Sequence, residues 1–388
     1  MENAKNLDFE WTSAAKDSAR AAAPEMTFHG LNAVECVVRF AKDLPTEAII
    51  VLYARGDAGK ISETEFDSLV RTSCETLDKA TASKFIVRGK DPTSAVKADG
   101  LIWNTPTARY LLEYSKTREV KSRNIPFRAE FVRLGITPPG KKIGLAAQIS
   151  VAGKSEFIGS QHVKNDPATG DIWIPDVPMI DQGQKGYCVV AATERVMRYY
   201  GGSVDANELA QVANSSAQGG TSYEAMYESL KKLSARLKIR VREIEKSDIH
   251  DILKLISDYN REAKRAKATL IPDQEQMIEL DVVYRMMDLE IFRELRLKNK
   301  ANLSRFQRSV AANIDKGTPP LWTVYLGKIP EKGIPQNAGG HMRLIIGYNS
   351  KTEEILYTDS WGAGHELKRM SAADAWTITT GMMSIEPI

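Results

Sequence analysis

Several residue types whose abundance would point to a functional class are scarce in this sequence. Its 388 residues include only 3 cysteines and 5 histidines. Three cysteines are too few for a fold held together by disulfides, and no group of cysteine and histidine residues has the spacing of a metal site. The net charge is +3, from 53 basic and 50 acidic residues, which gives no overall argument for binding nucleic acid or an anionic membrane.

Long apolar runs are lacking as well. No stretch approaches the roughly 20 residues that a transmembrane helix requires, and the polar residues 1–5 do not begin a signal peptide. With 43% hydrophobic and 27% charged residues, the composition is typical of a globular domain. We therefore expect a soluble protein that stays in the cytoplasm or is exported with its signal already removed.

The cysteine with the most distinctive setting is Cys188, which follows a glycine-bearing turn and begins a predicted helix. The helix is predicted to continue through Tyr200 and to end at Gly201 and Gly202, a C-cap signal. A thiol at a helix N-terminus lies at the positive end of the helix dipole, which favours the nucleophilic thiolate. Six residues earlier, Gln182 can direct its amide at an oxyanion. A buried structural cysteine is the alternative interpretation.

A predicted hairpin far downstream supplies a base and a carboxylate. Residues 339–348 and 355–362 are two β-rich runs around a polar turn. If the turn centres on Ser350, His341 lies directly opposite Asp359, with Cβ atoms roughly 4.5–5.5 Å apart. A register slip of one residue would place the two side chains on opposite faces of the sheet. The hairpin therefore predicts a carboxylate that orients an imidazole.

The order cysteine, histidine, aspartate, with a glutamine just ahead of the cysteine, resembles the papain-like cysteine peptidases. Residues 181–188 are similar to that family's Gln-Gly…Gly-x-Cys segment, and 359–362 (Asp-Ser-Trp-Gly) to its Asn-Ser-Trp-Gly, with aspartate replacing asparagine. Within the superfamily, the closer resemblance is to the bacteriocin-leader-processing (double-glycine) peptidase-like branch. The similarity extends over roughly residues 175–385.

The resemblance implies a role for each residue. Cys188 is the nucleophile, His341 the base and Asp359 the group that orients it. Gln182 donates to the oxyanion, and Trp361 shields the His–Asp contact from solvent. No metal and no organic cofactor are implied. The expected partner is a peptide or protein substrate, with no nucleic acid and no membrane segment.

Three alternatives remain open at this stage. A transglutaminase-like acyl transferase would use the same residues but pass the thioester to an amine. A pseudo-peptidase would only bind peptides. His365 is a rival to His341 as the base, although no strand follows it that would hold it rigidly.

The fold class predicted from the alternation of elements is α+β. We predict a flexible arm over residues 1–25, a separate α+β N-terminal domain over 26–150 and a papain-like domain over 151–388. In the last, a central helix packs on an antiparallel sheet, and apolar residues at helical spacing indicate a helical insertion at about 246–302. We expect the N-terminal domain or the insertion to contact substrate or a partner.

The other two cysteines carry no catalytic signal. Cys36 is predicted in a helix at about 30–43, and Cys74 in a helix at about 63–80 that Ser62 caps. Both are interpreted as small buried hydrophobic residues. Whether they pair with each other is left open by the sequence.

Overall fold

The computed structural model describes residues 4–5, 8–23, 25–87, 98–117, 126–140, 157–182, 187–202, 209–211, 213, 222–246, 249–272, 279–333 and 338–388. They form a mixed α+β structure in which every described strand pair is antiparallel. The chain divides into two compact units. The first comprises Met1–Ala152, Pro178–Lys238 and Ser360–Glu366, and the second comprises Gly153–Val177, Ile239–Asp359 and Leu367–Ile388.

The first unit is built on an eight-stranded sheet of order β2-β3-β6-β7-β11-β10-β9-β8, beside a small sheet of order β1-β4-β5. Its strands are β1 (Ala4–Lys5), β2 (Glu10–Trp11), β3 (Ser18–Ala21), β4 (Thr27–Phe28), β5 (Leu31–Asn32), β6 (Glu35–Ala41), β7 (Leu44–Ala54), β8 (Ile86–Val87), β9 (Asp99–Asn104), β10 (Arg109–Thr117) and β11 (Arg128–Thr137). Its helices are α1 (Arg55–Ala58), α2 (Glu63–Thr81), α3 (Cys188–Tyr199) and α4 (Tyr223–Leu237).

One face of this sheet packs against α2. The predicted cap is present: the Ser62 hydroxyl accepts the Glu65 backbone N–H, and the Glu65 carboxylate accepts the Ser62 N–H, which together fix the start of the helix. Phe66 and Leu77 of α2 are fully buried in the core between helix and sheet. These two side chains attach the helix mainly by removing apolar surface from water.

The opposite face of the same sheet carries buried polar side chains beside two small apolar clusters. Arg133 and Glu113 form an ion pair at 2.8 Å in which neither side chain is exposed. Ser115 exchanges hydrogen bonds with Gln211 at 3.1–3.3 Å. The second contact joins β10 to a residue after 178 in the same compact unit. The N-terminal stretch of the first unit ends at Ala152, and the domain bounds given by the sequence stay a prediction.

Two predictions for the N-terminal region are corrected. Residues 35–41 form strand β6 between β3 and β7 instead of part of a helix over 30–43. β-Branched and aromatic side chains favour a paired strand there, and apolar residues three and four apart fit either period over so short a run. Instead of a loose arm, Glu10–Trp11 and Ser18–Ala21 extend the sheet as β2 and β3.

The first unit also contains the predicted cysteine helix. Helix α3 begins at Cys188, and Gly201 adopts φ = 79° just beyond its end, the left-handed conformation expected of a glycine C-cap. Every residue from Val189 to Met197 is buried, so the helix is buried around its circumference and not on one face only. The turn 183–186 and the predicted cap Thr221 lie outside the described residues. The cap of α4 is Ser222, whose hydroxyl accepts the Ala225 N–H.

The second unit contains a sheet of order β12-β13-β16-β15-β19-β14, with β17 paired to β16 and β18 to β17. Its strands are β12 (Lys164–Asp166), β13 (Asp171–Trp173), β14 (Ile239–Lys246), β15 (Leu321–Leu326), β16 (Gly339–Asn349), β17 (Glu354–Thr358), β18 (Lys368–Ser371) and β19 (Thr379–Pro387). Its α-helices are α5 (Ile249–Ala266), α6 (Leu280–Met286), α7 (Leu289–Lys298), α8 (Lys300–Ile314) and α9 (Ala372–Ile378).

Helices α5, α6 and α7 correspond to the predicted insertion. They enclose a small core of their own, which includes Tyr259, Val283 and Phe292. The Tyr259 hydroxyl accepts the Asp288 backbone N–H at 2.8 Å and donates to the Thr269 carbonyl at 3.1 Å. These helices therefore pack against one another, and their being an insertion in a peptidase fold stays a prediction. Strand β14 immediately before them was not predicted.

Candidate active site

His341 lies near the start of β16, a strand that is paired with both β15 and β17. Its side chain is 5% exposed, and its Nε2 atom lies 2.6 Å from Oδ1 of Asp359, which is fully buried. Because a carboxylate only accepts, Nε2 carries the proton in this contact. In the neutral tautomer, the other ring nitrogen, Nδ1, then has the lone pair that can accept a proton. The contact that the hairpin predicts is present.

The register of the hairpin differs from the predicted one. Leu344 is paired with Thr358, and continuing this register by one residue places Asp359 opposite Arg343. The difference from the predicted pairing is two residues, so Asp359 still faces the same side of the sheet as His341. The carboxylate therefore reaches the imidazole from a diagonal position.

A β-bulge controls which face Asp359 occupies. Near the turn, Gly347 is paired with Leu356, whereas Ile345 is paired with Tyr357, so Ile346 is an extra residue in β16. Without it, the register near the turn would continue and place Asp359 opposite Leu344. Successive side chains alternate between faces, so the carboxylate would then point away from His341. The bulge at Ile346 is thus a structural requirement of the His–Asp contact.

Glycine is required at position 347 of this bulge because the neighbouring strand β13 leaves no space for a side chain. A Cβ atom at Gly347 would lie 2.6 Å from the Ile172 carbonyl oxygen and 2.6 Å from Cβ of Trp173. We expect Gly347→Ala to lower the free energy of unfolding by about 1–3 kcal/mol, the range for overpacked sites. Urea denaturation would measure the change. Gly340→Ala is the matched control in the same strand, since no atom lies within 4 Å of the added Cβ. Equal stability of the two variants would contradict the role given to Gly347.

Arg343 contacts Asp359 and connects it to a second charged residue, Glu331. Arg343 donates from Nε to Asp359 Oδ2 at 2.8 Å, and from its two terminal nitrogens to Glu331 at 2.9 and 3.1 Å. Tyr357 donates its hydroxyl to the same glutamate, and its ring lies 4.7 Å from the Arg343 guanidinium. His341, Asp359, Arg343 and Glu331 therefore form a buried network in which hydrogen-bond donors and acceptors alternate.

The charges within this network stabilise the arginine. Burial would lower the pKa of Arg343, but Asp359 and Glu331 outweigh that effect and raise it, so the guanidinium stays charged. Burial raises the pKa of Tyr357, which keeps its hydroxyl protonated as a donor.

The arginine also accounts for an aspartate at position 359. One carboxylate oxygen accepts from His341 and the other from Arg343. An asparagine has one acceptor oxygen and one NH₂ group, so one of these two donors would face another donor. The carboxylate is the side chain of this length that satisfies both.

Arg343, Glu331 and Tyr357 were not identified from the sequence. The available signal was Arg343 itself, a charged residue two positions after His341 in the apolar run of β16. Residues two apart in a strand share a face, so the arginine could have been placed beside the imidazole. Glu331 lies in a loop and gave no such signal.

Cys188 and Gln182 belong to the first unit. Cys188 is the first residue of α3, as predicted, and is half-buried. Gln182 is held by Ser360: its backbone N–H donates to the Ser360 carbonyl at 2.8 Å, and its side-chain oxygen accepts the Ser360 hydroxyl at 2.6 Å. An amide whose oxygen is held in this way has its nitrogen directed elsewhere for donation.

Residues 360–362 make further contacts within the first unit. Gly362 has φ = 82°, and a Cβ atom there would lie 3.2 Å from the Asp181 carboxylate, so the turn 360–362 fits closely against the segment before Gln182. The Trp361 ring stacks edge-on against His365 at 5.7 Å. The role of Trp361 as a shield for the His–Asp pair remains a prediction.

The remaining cysteines are free thiols. Cys36 is buried on β6 and Cys74 is half-buried on α2, which leaves the two unpaired by a disulfide. Burial raises the pKa of Cys36 to about 12 and that of Cys74 to about 11. Both fit the predicted interpretation as packing residues. Within the described ranges, no three His, Cys, Asp or Glu side chains are arranged to hold a metal ion.

Together, these features define an α+β protein with a buried His–Asp pair on an antiparallel sheet. Residues 274–383 match the model of the Peptidase_C39 like family, and the match includes His341 and Asp359 but not Cys188 or Gln182. This part of the chain is thus related to the C39 branch of the papain-like cysteine peptidases. No curated protein matches the chain. No helix in the described part of the chain has the length and apolar character needed to cross a bilayer.

Proposed function

We propose that this protein is a cysteine peptidase that hydrolyses peptide bonds through Cys188, His341 and Asp359. The observation that carries the proposal is the buried 2.6 Å contact between His341 and Asp359, inside the segment that matches a peptidase family. Cys188 at the start of α3 is the proposed nucleophile, and Gln182 the proposed oxyanion donor. The corresponding fold is a papain-like arrangement in which α3 is the central helix.

The first proposed step is proton transfer from the Cys188 thiol to Nδ1 of His341. Asp359 accepts the N–H of Nε2, which holds the ring in the tautomer that has its lone pair on Nδ1. A carboxylate in contact with an imidazole favours the imidazolium, which the thiolate requires.

The thiolate then attacks the carbonyl carbon of the substrate. The oxyanion that forms accepts hydrogen bonds from the Gln182 amide and a backbone N–H near Cys188. The C–N bond breaks as His341 returns its proton to the leaving amine, which leaves a thioester on Cys188. Water, deprotonated by His341, attacks the thioester and releases the acid and the free thiol.

The covalent chain links two of the proposed groups directly. Asp359 and Ser360 are consecutive residues, and the first accepts from His341 while the second holds Gln182. Consecutive Cα atoms are about 3.8 Å apart. The sequence 359–360 therefore connects the group that orients the base to the group that orients the oxyanion donor.

Alkylation by iodoacetamide at pH 7 tests the proposal, because the chain contains two internal control thiols. We expect modification of Cys188 alone, identified by peptide mass spectrometry, and at least tenfold slower modification in His341→Ala. Cys36 and Cys74, with pKa values of about 12 and 11, stay protonated and unreactive at that pH. The thiolate–imidazolium pair would be rejected if the three thiols were labelled equally. It would also be rejected if Cys188 were labelled at the same rate in His341→Ala as in the unaltered protein.

The fate of the thioester distinguishes peptide hydrolysis from the other two functions. The masses of the products formed with and without added glycine methyl ester would be determined by mass spectrometry. A peptidase gives mainly the free acid in both samples, whereas a transglutaminase-like enzyme gives mainly the amide when the amine is present. A pseudo-peptidase gives neither product, although it would still bind the peptide.

A further inference from the structure

Helix α6 is held at both ends by two residues that lie three positions apart in the chain. At its first turn, the Tyr325 hydroxyl lies 2.9 Å from both the backbone carbonyl oxygen and a carboxylate oxygen of Asp281. At its C-terminal end, the Lys328 ammonium group donates to the backbone carbonyls of Arg285 at 3.0 Å and Met287 at 2.5 Å. The last carbonyls of a helix have no partners within the helix, so a lysine is a favourable cap there. The end of β15 and the residues after it are therefore attached to α6.

This attachment is reinforced by packing. The Tyr325 ring lies 5.1 Å from the ring of Tyr284 and belongs to the apolar core that helices α5, α6 and α7 enclose. Burial lowers the pKa of Lys328, which the charge of Asp288 opposes. Helix α6 also contacts β16, the strand that contains His341. The position of the loop after β15 thus depends on these helices.

The same loop supplies a member of the buried network around Asp359. Glu331, three residues after Lys328, accepts from both terminal nitrogens of Arg343. The Nε atom of Arg343 donates to Asp359, which accepts from His341. Three residues of chain span at most about 11 Å, so Lys328 and Glu331 cannot move far apart. A displacement of this loop would therefore move Glu331 and, through Arg343, the carboxylate that orients His341.

We propose that Lys328 is a positioning residue through which helix α6 stabilises the His341–Asp359 contact. The inference rests on the proposed function, in which His341 is the base. Lys328 acts at a distance from the reacting atoms, because its two bonds to α6 keep the loop closed over the network. Without these bonds the loop opens more often and releases Glu331. Removing a hydrogen bond of a charged group raises such an open population about tenfold to a hundredfold.

A purely structural role for Lys328 predicts a different result. In that case, its replacement destabilises the whole second unit, and every protected N–H group of the sheet exchanges faster with water. A positioning role speeds exchange of the His341 imidazole N–H, whereas the backbone N–H groups of β19 keep their rates. Strand β19 is paired with β14 and β15, and opening of the loop breaks neither pairing.

Proton NMR on the full chain tests the proposal. An imidazole N–H in a short bond to a carboxylate resonates far downfield, and loss of the resonance in His341→Ala assigns it. We expect its exchange with water, measured by saturation transfer, to be about tenfold to a hundredfold faster in Lys328→Met. Lys328→Arg keeps a charged donor and should recover most of the protection. Deuterium uptake of β19, measured by mass spectrometry, should be unchanged in both variants.

Lys351→Met is the matched control. This lysine also donates to a backbone carbonyl, that of Pro167 at 3.4 Å, but it lies just beyond the end of β16 farthest from His341. Its replacement should leave exchange of the His341 N–H unchanged. The proposal is overturned if Lys328→Met leaves that exchange unchanged, or if exchange rises equally at His341 and in β19. Absence of a protected resonance in the unaltered protein also overturns it.

The readout is independent of the thiol chemistry. The His341 resonance reports the contact with Asp359 whether or not Cys188 is a nucleophile. Failure of Cys188 to react with iodoacetamide would therefore reject the proposed function without changing the NMR result. Conversely, unchanged N–H exchange in Lys328→Met would reject the positioning role and leave the proposed function standing.

Discussion

A chain carrying Cys188→Ala is expected to lose peptide hydrolysis by a factor of about 10⁴ or more. The substitution removes the only atom that can form the thioester, and the oxyanion donors and binding groups alone retain little rate. Substrates for the measurement would be peptides that the unaltered protein cleaves in a proteome-derived library. The assay is kcat/KM on such a peptide. Because Cys188 is half-buried and alanine fits a first helical turn, we expect the fold to be retained.

Cys74→Ala is the matched control for this prediction. It also removes a half-buried helical thiol, but one whose pKa, raised by burial to about 11, keeps it protonated. Its hydrolytic rate should equal that of the unaltered protein. Circular dichroism of both variants would verify that neither has unfolded. If Cys188→Ala keeps its rate, the nucleophile is another group and the proposed mechanism fails.

The sequence predicted the His–Asp contact although it predicted the register incorrectly. When the numbers of paired residues have an even sum, residues of the same parity lie on one face of an antiparallel pair, and His341 and Asp359 are both odd-numbered. The predicted sum of 700 and the observed sum of 702 beside Asp359 are both even. The loop is not centred on Ser350, and a bulge at Ile346 adds one residue to β16. The two deviations together shift the register by two residues, which preserves the face. Neither the loop nor the bulge has a signature that the hairpin sequence alone would reveal.

Secondary structure was predicted well where the sequence signal is local. The capping box at Ser62 and the glycine end of α3 each depend on a few adjacent residues, and both are present. Strand β6 was misassigned because its stability comes from pairing with β3 and β7, and β3 had not been recognised as a strand. Tertiary pairing overrides weak local preference in such a segment.

The Arg343 network was the part of the candidate site least accessible from the sequence. A single arginine in an apolar strand is ordinarily interpreted as a residue at a sheet edge or in an ion pair of local effect. Its connection to Glu331 depends on a loop 12 residues earlier in the chain. Only the folded structure brings the glutamate, the arginine and Asp359 into one buried chain of contacts.

Replacement of Arg343 by methionine is expected to cause the largest loss of stability among the variants considered. Neither Arg343 nor Asp359 has any exposed side-chain surface, and Glu331 is 7% exposed. The variant leaves two buried carboxylates without their shared cation, and breaking a buried ion pair costs about 3–5 kcal/mol. Urea denaturation should show a loss of this size. Hydrolysis should also fall, because Asp359 loses the contact that fixes its second oxygen.

The double variant Arg343→Met/Glu331→Gln separates the effect of charge from the effect of packing. If uncompensated charge dominates, removing one carboxylate recovers part of the lost stability, so the two substitutions are not additive. Glu331→Gln alone should be destabilising, because Arg343 then keeps one acceptor fewer and Tyr357 must share what remains. If the double variant is no more stable than Arg343→Met, the loss comes from packing of the arginine against Tyr357 and Trp322. A loss below about 1 kcal/mol in Arg343→Met would show that the network is not what holds Asp359 in place.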